Sequence, residues 1–282
     1  MKMQKALLGL LVLIMLTMNT SAEETAYHLD INGRCTISED LYAEKIEDGV
    51  FQIIHEFPWC ANSLVIEIKN SDIVLIDTPY TYEATKELVE WIFSLAGNSV
   101  NITAINTGFH FDNLGGNKYL LEQGFKVYGT SKTVALIRER GETSRTWFLN
   151  SLQGLKFKKY HDVFAELEYT EPSEIVDLGL DEEIALDFGT ESILLYYPGE
   201  SHSPDNIVAF YPDKGVLFGG CMVKEASAVN LGNIDDANLQ QWPVSINRLK
   251  LKYSAESVNT VVPGHGKSGD ILLLDKTLAL LK

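Results

Sequence analysis

Apolar positions from residue 50 onward divide the chain into a regular succession of short strands and helices. Residues 50–54, 64–69 and 73–77 are β-rich runs, and Asn70, Ser71 and Asp72 form a turn between the last two. From 81 to 95 the period becomes helical, with Ala84, Leu88, Trp91, Ile92 and Leu95 on one face. Residues 100–106 and 126–129 read as strands flanking a helix near 114–123, which Gly124 stops. Ser131 is a candidate cap for a further helix ending at Gly141. Strands follow at 183–188 and 192–197, then at 206–211 and 216–220 in a hairpin around Pro212-Asp213-Lys214-Gly215. A helix at 242–253, a strand at 260–262 and a helix at 271–281 end the pattern. Strands, helix, strand, helix, and then the same again, predict an α/β (α+β) fold of two similar halves. Two sheets with helices on both outer faces would bury such a pattern.

Two stretches depart from it. Residues 1–22 have lysines at 2 and 5, an apolar run over 6–18 and the small-residue end Thr20-Ser21-Ala22, which is the pattern of a cleaved signal peptide. The run is short for a membrane anchor, and no cysteine follows it as in a lipoprotein. The expectation is an exported chain with one domain over 23–282, located in the periplasm if the source is Gram-negative. Residues 143–173 are aromatic-rich and less regular, with Trp147, Phe148, Leu152 and Leu155 at helical spacing. They read as a helical insertion over one end of the sheets, either a flap or packing decoration.

Composition narrows the function. A net charge of −16 over 282 residues argues against nucleic acid and anionic lipid as partners. Three cysteines are too few for a disulfide scaffold, although an exported chain would permit one bond between Cys35 and Cys60. Two separate thiols are the simpler reading.

Three of the six histidines lie in glycine-flanked loops after strands. The first loop is NTGFHFDNLGG, residues 106–116. Read as extended chain, it turns His110 and Asp112 toward one cavity and Phe109 and Phe111 toward the core. The second, PGESHSPDN, carries His202, and the third, VVPGHG, carries His265. Cys221 follows the strand at 216–220. Imidazole, thiolate and carboxylate donors together suit Zn²⁺. His28, His55 and His161 read as structural or surface residues.

With these motifs the chain resembles the class B metallo-β-lactamases, nearest subclass B1, through VLIDTPYTYEAT, NTGFHFDNLGGNKYL, YPGESHSPDNIVAFYP, KGVLFGGCMVKEASAVNLGNIDDAN and VVPGHG. The resemblance implies a four-layer αββα sandwich with the metal site at the edge of the two sheets, and zinc-dependent hydrolysis of β-lactams in the periplasm; the further expectation is a monomer with no membrane anchor. It maps one zinc site onto Asp112, Cys221 and His265. It maps a second onto position 108, His110 and His202, but residue 108 is glycine and offers no ligand. The second subclass also lacks that histidine and resembles one-zinc enzymes that prefer carbapenems. The expectation is therefore one tight zinc and a weaker second one at His110 and His202. A water would be activated by the weaker zinc, or by Asp112 with His110 as base. Lys224 matches the lysine that pairs with the substrate carboxylate, and Asn233 the amide near the lactam carbonyl. Trp59 falls where the family carries a substrate-covering loop. Asp77 reads as structural. Thioesterases and phosphodiesterases of the same fold place histidine and a bridging aspartate where this chain has Asn113 and Cys221, which counts against that reading. A non-catalytic relic would have no reason to keep Lys224 and Asn233.

Overall fold

The computed structural model describes residues 34–69 and 72–282. The leader expected at 1–22, His28, and Asn70 and Ser71 of the expected turn lie outside the described residues. The first sheet has eight strands in sequence order. They are β1 (Cys35–Thr36), β2 (Leu41–Glu47), β3 (Val50–Glu56), β4 (Cys60–Ile68), β5 (Asp72–Ile76), β6 (Asn101–Ile105), β7 (Lys126–Gly129) and β8 (Glu174–Ile175). β1 to β5 form an antiparallel meander, and β5 to β8 run parallel. Parallel neighbours need long crossovers. α1 (Tyr82–Ala96) supplies the first, and α2 (Phe111–Leu114) with α3 (Asn117–Glu122) the second. The third consists of α4 (Ser131–Ser151), a 3-10 turn at Leu155–Phe157 and α5 (Lys158–Glu166).

The second sheet holds β9 (Glu182–Phe188), β10 (Glu191–Tyr197), β11 (Val208–Tyr211), β12 (Val216–Gly220) and β13 (Thr260–Pro263), in the order β13-β12-β11-β10-β9. Its pairs are antiparallel except β12 with β13, which α6 (Trp242–Lys252) connects; α7 (Leu272–Leu280) follows. Three apolar clusters fix the layers. Leu88, Val89 and Ile92 of α1 pack on Ile73, Leu75 and Ile102 of the first sheet. Leu64, Ile66, Val74, Ile193, Leu195 and Phe218 fill the space between the sheets. Trp242, Ile246 and Leu249 of α6 and Leu274 of α7 cover the outer face of the second sheet. Strands covered on both faces read as apolar runs, as Ile73–Ile76 of β5 and Leu64–Ile66 of β4 do. The structure is thus the expected four-layer sandwich.

Details differ from the sequence reading. The helix expected to end at Gly141 continues to Ser151, because Gly141 stays helical and its small size admits a neighbour. A Cβ there would lie 3.0 Å from the Tyr169 ring. Its cap is Thr130, not Ser131: Thr130 Oγ1 accepts from Thr133 N at 3.0 Å. β1, β2 and β8 add to the predicted strands; β1 and β8 span two residues each, too short to leave a pattern. α4 and α5 meet at a fourth cluster, where Phe148, Leu152 and Phe164 close on Phe57, Tyr80 and Phe111 at the sheet edge. No helix among the described residues is long and apolar enough to cross a membrane.

Candidate metal centre and substrate cavity

The loops that leave β5, β6, β10, β12 and β13 meet at this edge. Asp77, just after β5, takes φ +56° and is fully enclosed. It accepts hydrogen bonds from Thr107 N (2.7 Å), Thr107 Oγ1 (2.7 Å) and Asn113 Nδ2 (2.8 Å), which brace the loop after β6. Burial pushes the Asp77 carboxyl up, and these donors oppose it. These bonds agree with the structural reading of Asp77.

The loop is not extended throughout. His110 is extended, but Asp112 lies in the first turn of α2. Both still line one cavity, while Phe109 and Phe111 are buried. Gly115 and Gly116 have ordinary negative φ values, so handedness is not their reason. A Cβ on either would collide with the Tyr80 carbonyl or the Thr85 side chain.

Cys221 follows β12, and Gly264 N donates to Gly220 O at 2.7 Å. A Cβ at Gly264 would overlap the Cys221 backbone and lie 2.8 Å from its sulfur, so glycine is required where the two strand exits touch. Across the sheets, Gly266 O accepts from Asn62 Nδ2 (2.7 Å) and Gln52 Nε2 (3.0 Å), which holds the loop carrying His265. His265 Nδ1 donates to Cys60 O at 2.6 Å, which turns Nε2 toward the position of an ion.

Asp112, Cys221 and His265 converge. Cys221 Sγ is 3.1 Å from Asp112 Oδ2 and 3.6 Å from His265 Nε2, and His265 Nε2 is 3.2 Å from Asp112 Oδ2. Donors held by a tetrahedral zinc stand about 3.3–3.7 Å apart, given bonds of about 2.0–2.3 Å. The donor set and its spacing therefore fit Zn²⁺. The charges agree with this. Burial, and then the charge of Asp112, push the Cys221 thiol well up. Burial works against charge on Asp112, but hydrogen bonding and charge from His265, with the charge of His110 and the Cys221 hydrogen bond, together hold the carboxyl well below the usual range. A dication relieves this strain, because a coordinating thiol is deprotonated outright.

The neighbouring group is poorer. His110 and His202 stand edge to face, ring centroids 5.2 Å apart. His202 Nδ1 is buried without a hydrogen-bond partner, and burial pulls its basicity well down. Neutral imidazoles of this kind fit a metal. His110 Nε2 pairs with Asp236 Oδ2 at 3.0 Å, which leaves Nδ1 as the nitrogen for an ion. Gly108 contributes no donor, and its space is closed. A Cβ there would stand 2.7 Å from Asn206 Nδ2 and 3.0 Å from Asn113 Oδ1.

The cavity in front of these residues measures about 380 Å³. Lys224 lines it. Lys224 is 8% exposed, its Nζ lies 5.3 Å from the Trp242 ring centroid, and it has no carboxylate within ion-pair distance among the described residues. Asn233 also lines the cavity while its Oδ1 accepts from Asp235 N at 3.0 Å, so it is both turn residue and wall. Trp59 is 39% exposed and stands at the tip of a hairpin of only three linking residues, since Glu56 pairs with Cys60. A short hairpin turn thus carries Trp59 to the cavity wall. Trp147 and Phe148 of α4 form the opposite wall, with Trp59 and Phe148 ring centroids 6.1 Å apart. His161 lies outside this cavity, beside Asp162. Cys35 and Cys60 are separate thiols. Asp236 and Arg140 are functional candidates that the sequence reading missed; only the acidic pair in NIDDAN hinted at the first.

Comparison with known proteins agrees with this geometry. Residues 58–265 match the metallo-beta-lactamase superfamily, and the chain belongs to it. It is 34% identical over 222 residues to a metallo-beta-lactamase type 2 of Bacillus cereus, covering 79% of this chain and 73% of that one. It is 31% identical over 243 residues to the type 2 enzyme of Pseudomonas aeruginosa, covering 84% and 83%. The solved structure of a metallo-beta-lactamase from Pontibacter korlensis superposes with a TM-score of 0.68 at 29% identity, over 86% of this chain and 98% of that one.

Proposed function

We propose that the chain is an exported, periplasmic zinc β-lactamase, active as a monomer, with carbapenems as its best substrates. Asp112, Cys221 and His265 would hold one zinc tightly, and His110 and His202 a second one more weakly. The observation that carries this reading is the joint one: three donors at zinc spacing face a cavity that also holds a buried ammonium with no counter-ion among the described residues.

Zinc bound there supplies a Lewis acid for the lactam carbonyl and lowers the pKa of a water. The residues of the chain do the rest. Lys224 pairs with the carboxylate that β-lactams carry beside the ring nitrogen, in a setting where a charge pair is little screened. The Asn233 oxygen is engaged by Asp235 N, which leaves its NH₂ to donate to the lactam carbonyl oxygen. Trp59, Trp147 and Phe148 shed water from the bound substrate. Hydrolysis joins a water oxygen to the carbonyl carbon, breaks the C–N bond and leaves the nitrogen in need of a proton. Asp112 with His110, which line the same cavity, would accept the proton of the water and pass it on.

The test is to purify the exported protein, measure bound zinc, and assay a carbapenem, a penicillin and a cephalosporin with and without added Zn²⁺. Expected are zinc-dependent turnover, fastest on the carbapenem, and an N-terminus that begins at Glu23. No turnover of any of the three at saturating zinc removes the reading.

A further inference from the structure

We propose that Arg140 is a positioning residue of the His110–His202 metal site and acts through Asp236. The inference rests on the reading that a second metal binds there.

Asp236 is held at both oxygens. Oδ2 lies 3.0 Å from His110 Nε2, and Oδ1 lies 3.2 Å from Arg140 Nη1. A carboxylate behind a ligating histidine fixes its tautomer and ring orientation. That works only if the carboxylate is itself fixed, and the chain around Asp236 offers little to fix it. Residues 225–241 form no helix or strand, and Ile234 and Asp235 are exposed. A second hollow of about 310 Å³, lined by Arg140, Ser144, Trp147, Asn233, Asp235 and Asp236, lies directly beside the carboxylate and gives it room to turn away. Arg140 sits in the middle of the 21-residue helix α4, whose far end is packed through Phe148 into the aromatic cluster at the sheet edge. The guanidinium therefore transfers the rigidity of a long helix to a side chain on an irregular loop.

The missing ligand makes this matter. With three histidines, two can hold an ion while the third wavers. Gly108 leaves two, so the freedom of each counts for more. The first site has no such dependence, because His265 is oriented by Cys60 O, and among the described residues Arg140 pairs with Asp236 and Glu139 and not with Asp112 or Cys221. The loss of Arg140 should thus fall on one site only.

The experiment is a Co²⁺ and Zn²⁺ titration of metal-free wild type, R140A and R140K against a chromophoric chelator. The thiolate-to-cobalt charge-transfer band reports the Cys221 site separately. R140A is expected to weaken the second ion by about 10-fold, the low end of the range for loss of a group directly behind a ligand, because Asp236 itself remains. The first ion, the thiolate band and the melting temperature of the metal-free protein should be unmoved. R140K, which keeps the charge but not the planar fork, should recover part of the loss. Equal second-ion affinities in wild type and R140A overturn the inference alone. Weakening of both ions together with a lower metal-free melting temperature also overturns it, because Arg140 is then a plain structural tie. A wild-type titration that ends at one ion overturns the two-ion reading and the inference with it.

Discussion

The two candidate metal sites lie side by side yet are built to different standards. At the Asp112, Cys221 and His265 site, three different donor types stand within 3.6 Å of one another, and the His265 loop is gripped from the opposite sheet by Asn62 and Gln52. At the His110 and His202 site, two imidazoles remain. The place of a third ligand is taken by Gly108, closed in by the amides of Asn206 and Asn113. The contrast shows that losing a ligand here is more than removing one side chain, since its neighbours occupy the space.

The largest effect should come from breaking the better site. Cys221→Ser removes the only thiolate and should weaken the tight zinc on the order of 100-fold or more, beyond what loss of a group behind a ligand causes. The weak ion should remain, as chelator competition would show. Lys224→Ala asks whether the cavity between the sites is built for an anion. Loss of a buried charge partner should cost about 2–5 kcal/mol of substrate binding, seen as a raised KM with a smaller change in kcat. An unchanged KM would remove Lys224 from the substrate site.

Gly108→His sharpens the comparison from the poorer side. The new ligand should tighten the second zinc, but its Cβ must displace Asn206 Nδ2 from 2.7 Å, and Asn206 is buried and bonded to Ser201 and Ser203. Overpacking of this kind should cost the metal-free protein about 1–3 kcal/mol, measured by urea denaturation. Adding Asn206→Ser should return part of that loss. Unchanged zinc stoichiometry and affinity in Gly108→His would contradict this picture of the site.

The last test involves neither site. Burial lowers the His55 pKa to about 3, and Tyr80 N donates to its Nδ1 at 3.1 Å. The unfolded chain binds this proton below about pH 6.5, whereas the folded chain refuses it until about pH 3. The stability that His55 contributes is therefore whole above 6.5 and falls through that window, by about 1.4 kcal/mol per pH unit. His55→Leu is less stable at pH 7, but its stability should fall less steeply between pH 6.5 and 4. Equal slopes would show that His55 takes up its proton in the fold.

Much of this was legible in the sequence. Period and turn residues placed β6, β7, β10, β12 and α6 within two residues, because those elements bury one clear face or run. The glycine-flanked loops marked His110, His202, Cys221 and His265 as a group. Other features depend on packing across the chain. Gly141 looked like a helix end, since nothing local shows that Tyr169 needs its space. The Arg140–Asp236 contact joins residues 96 apart and leaves no local pattern. The three-residue β3–β4 turn and the aromatic wall of α4 opposite it emerge only once both surround one cavity.

The central claim is that the two sites differ in strength. Zinc titration of the metal-free protein against a competing chelator tests it most directly. Two binding events of clearly different affinity, with the stronger one weakened about 100-fold or more in Cys221→Ser, are predicted. Two ions of equal affinity, or a stronger event left unweakened by the loss of the thiolate, would contradict it.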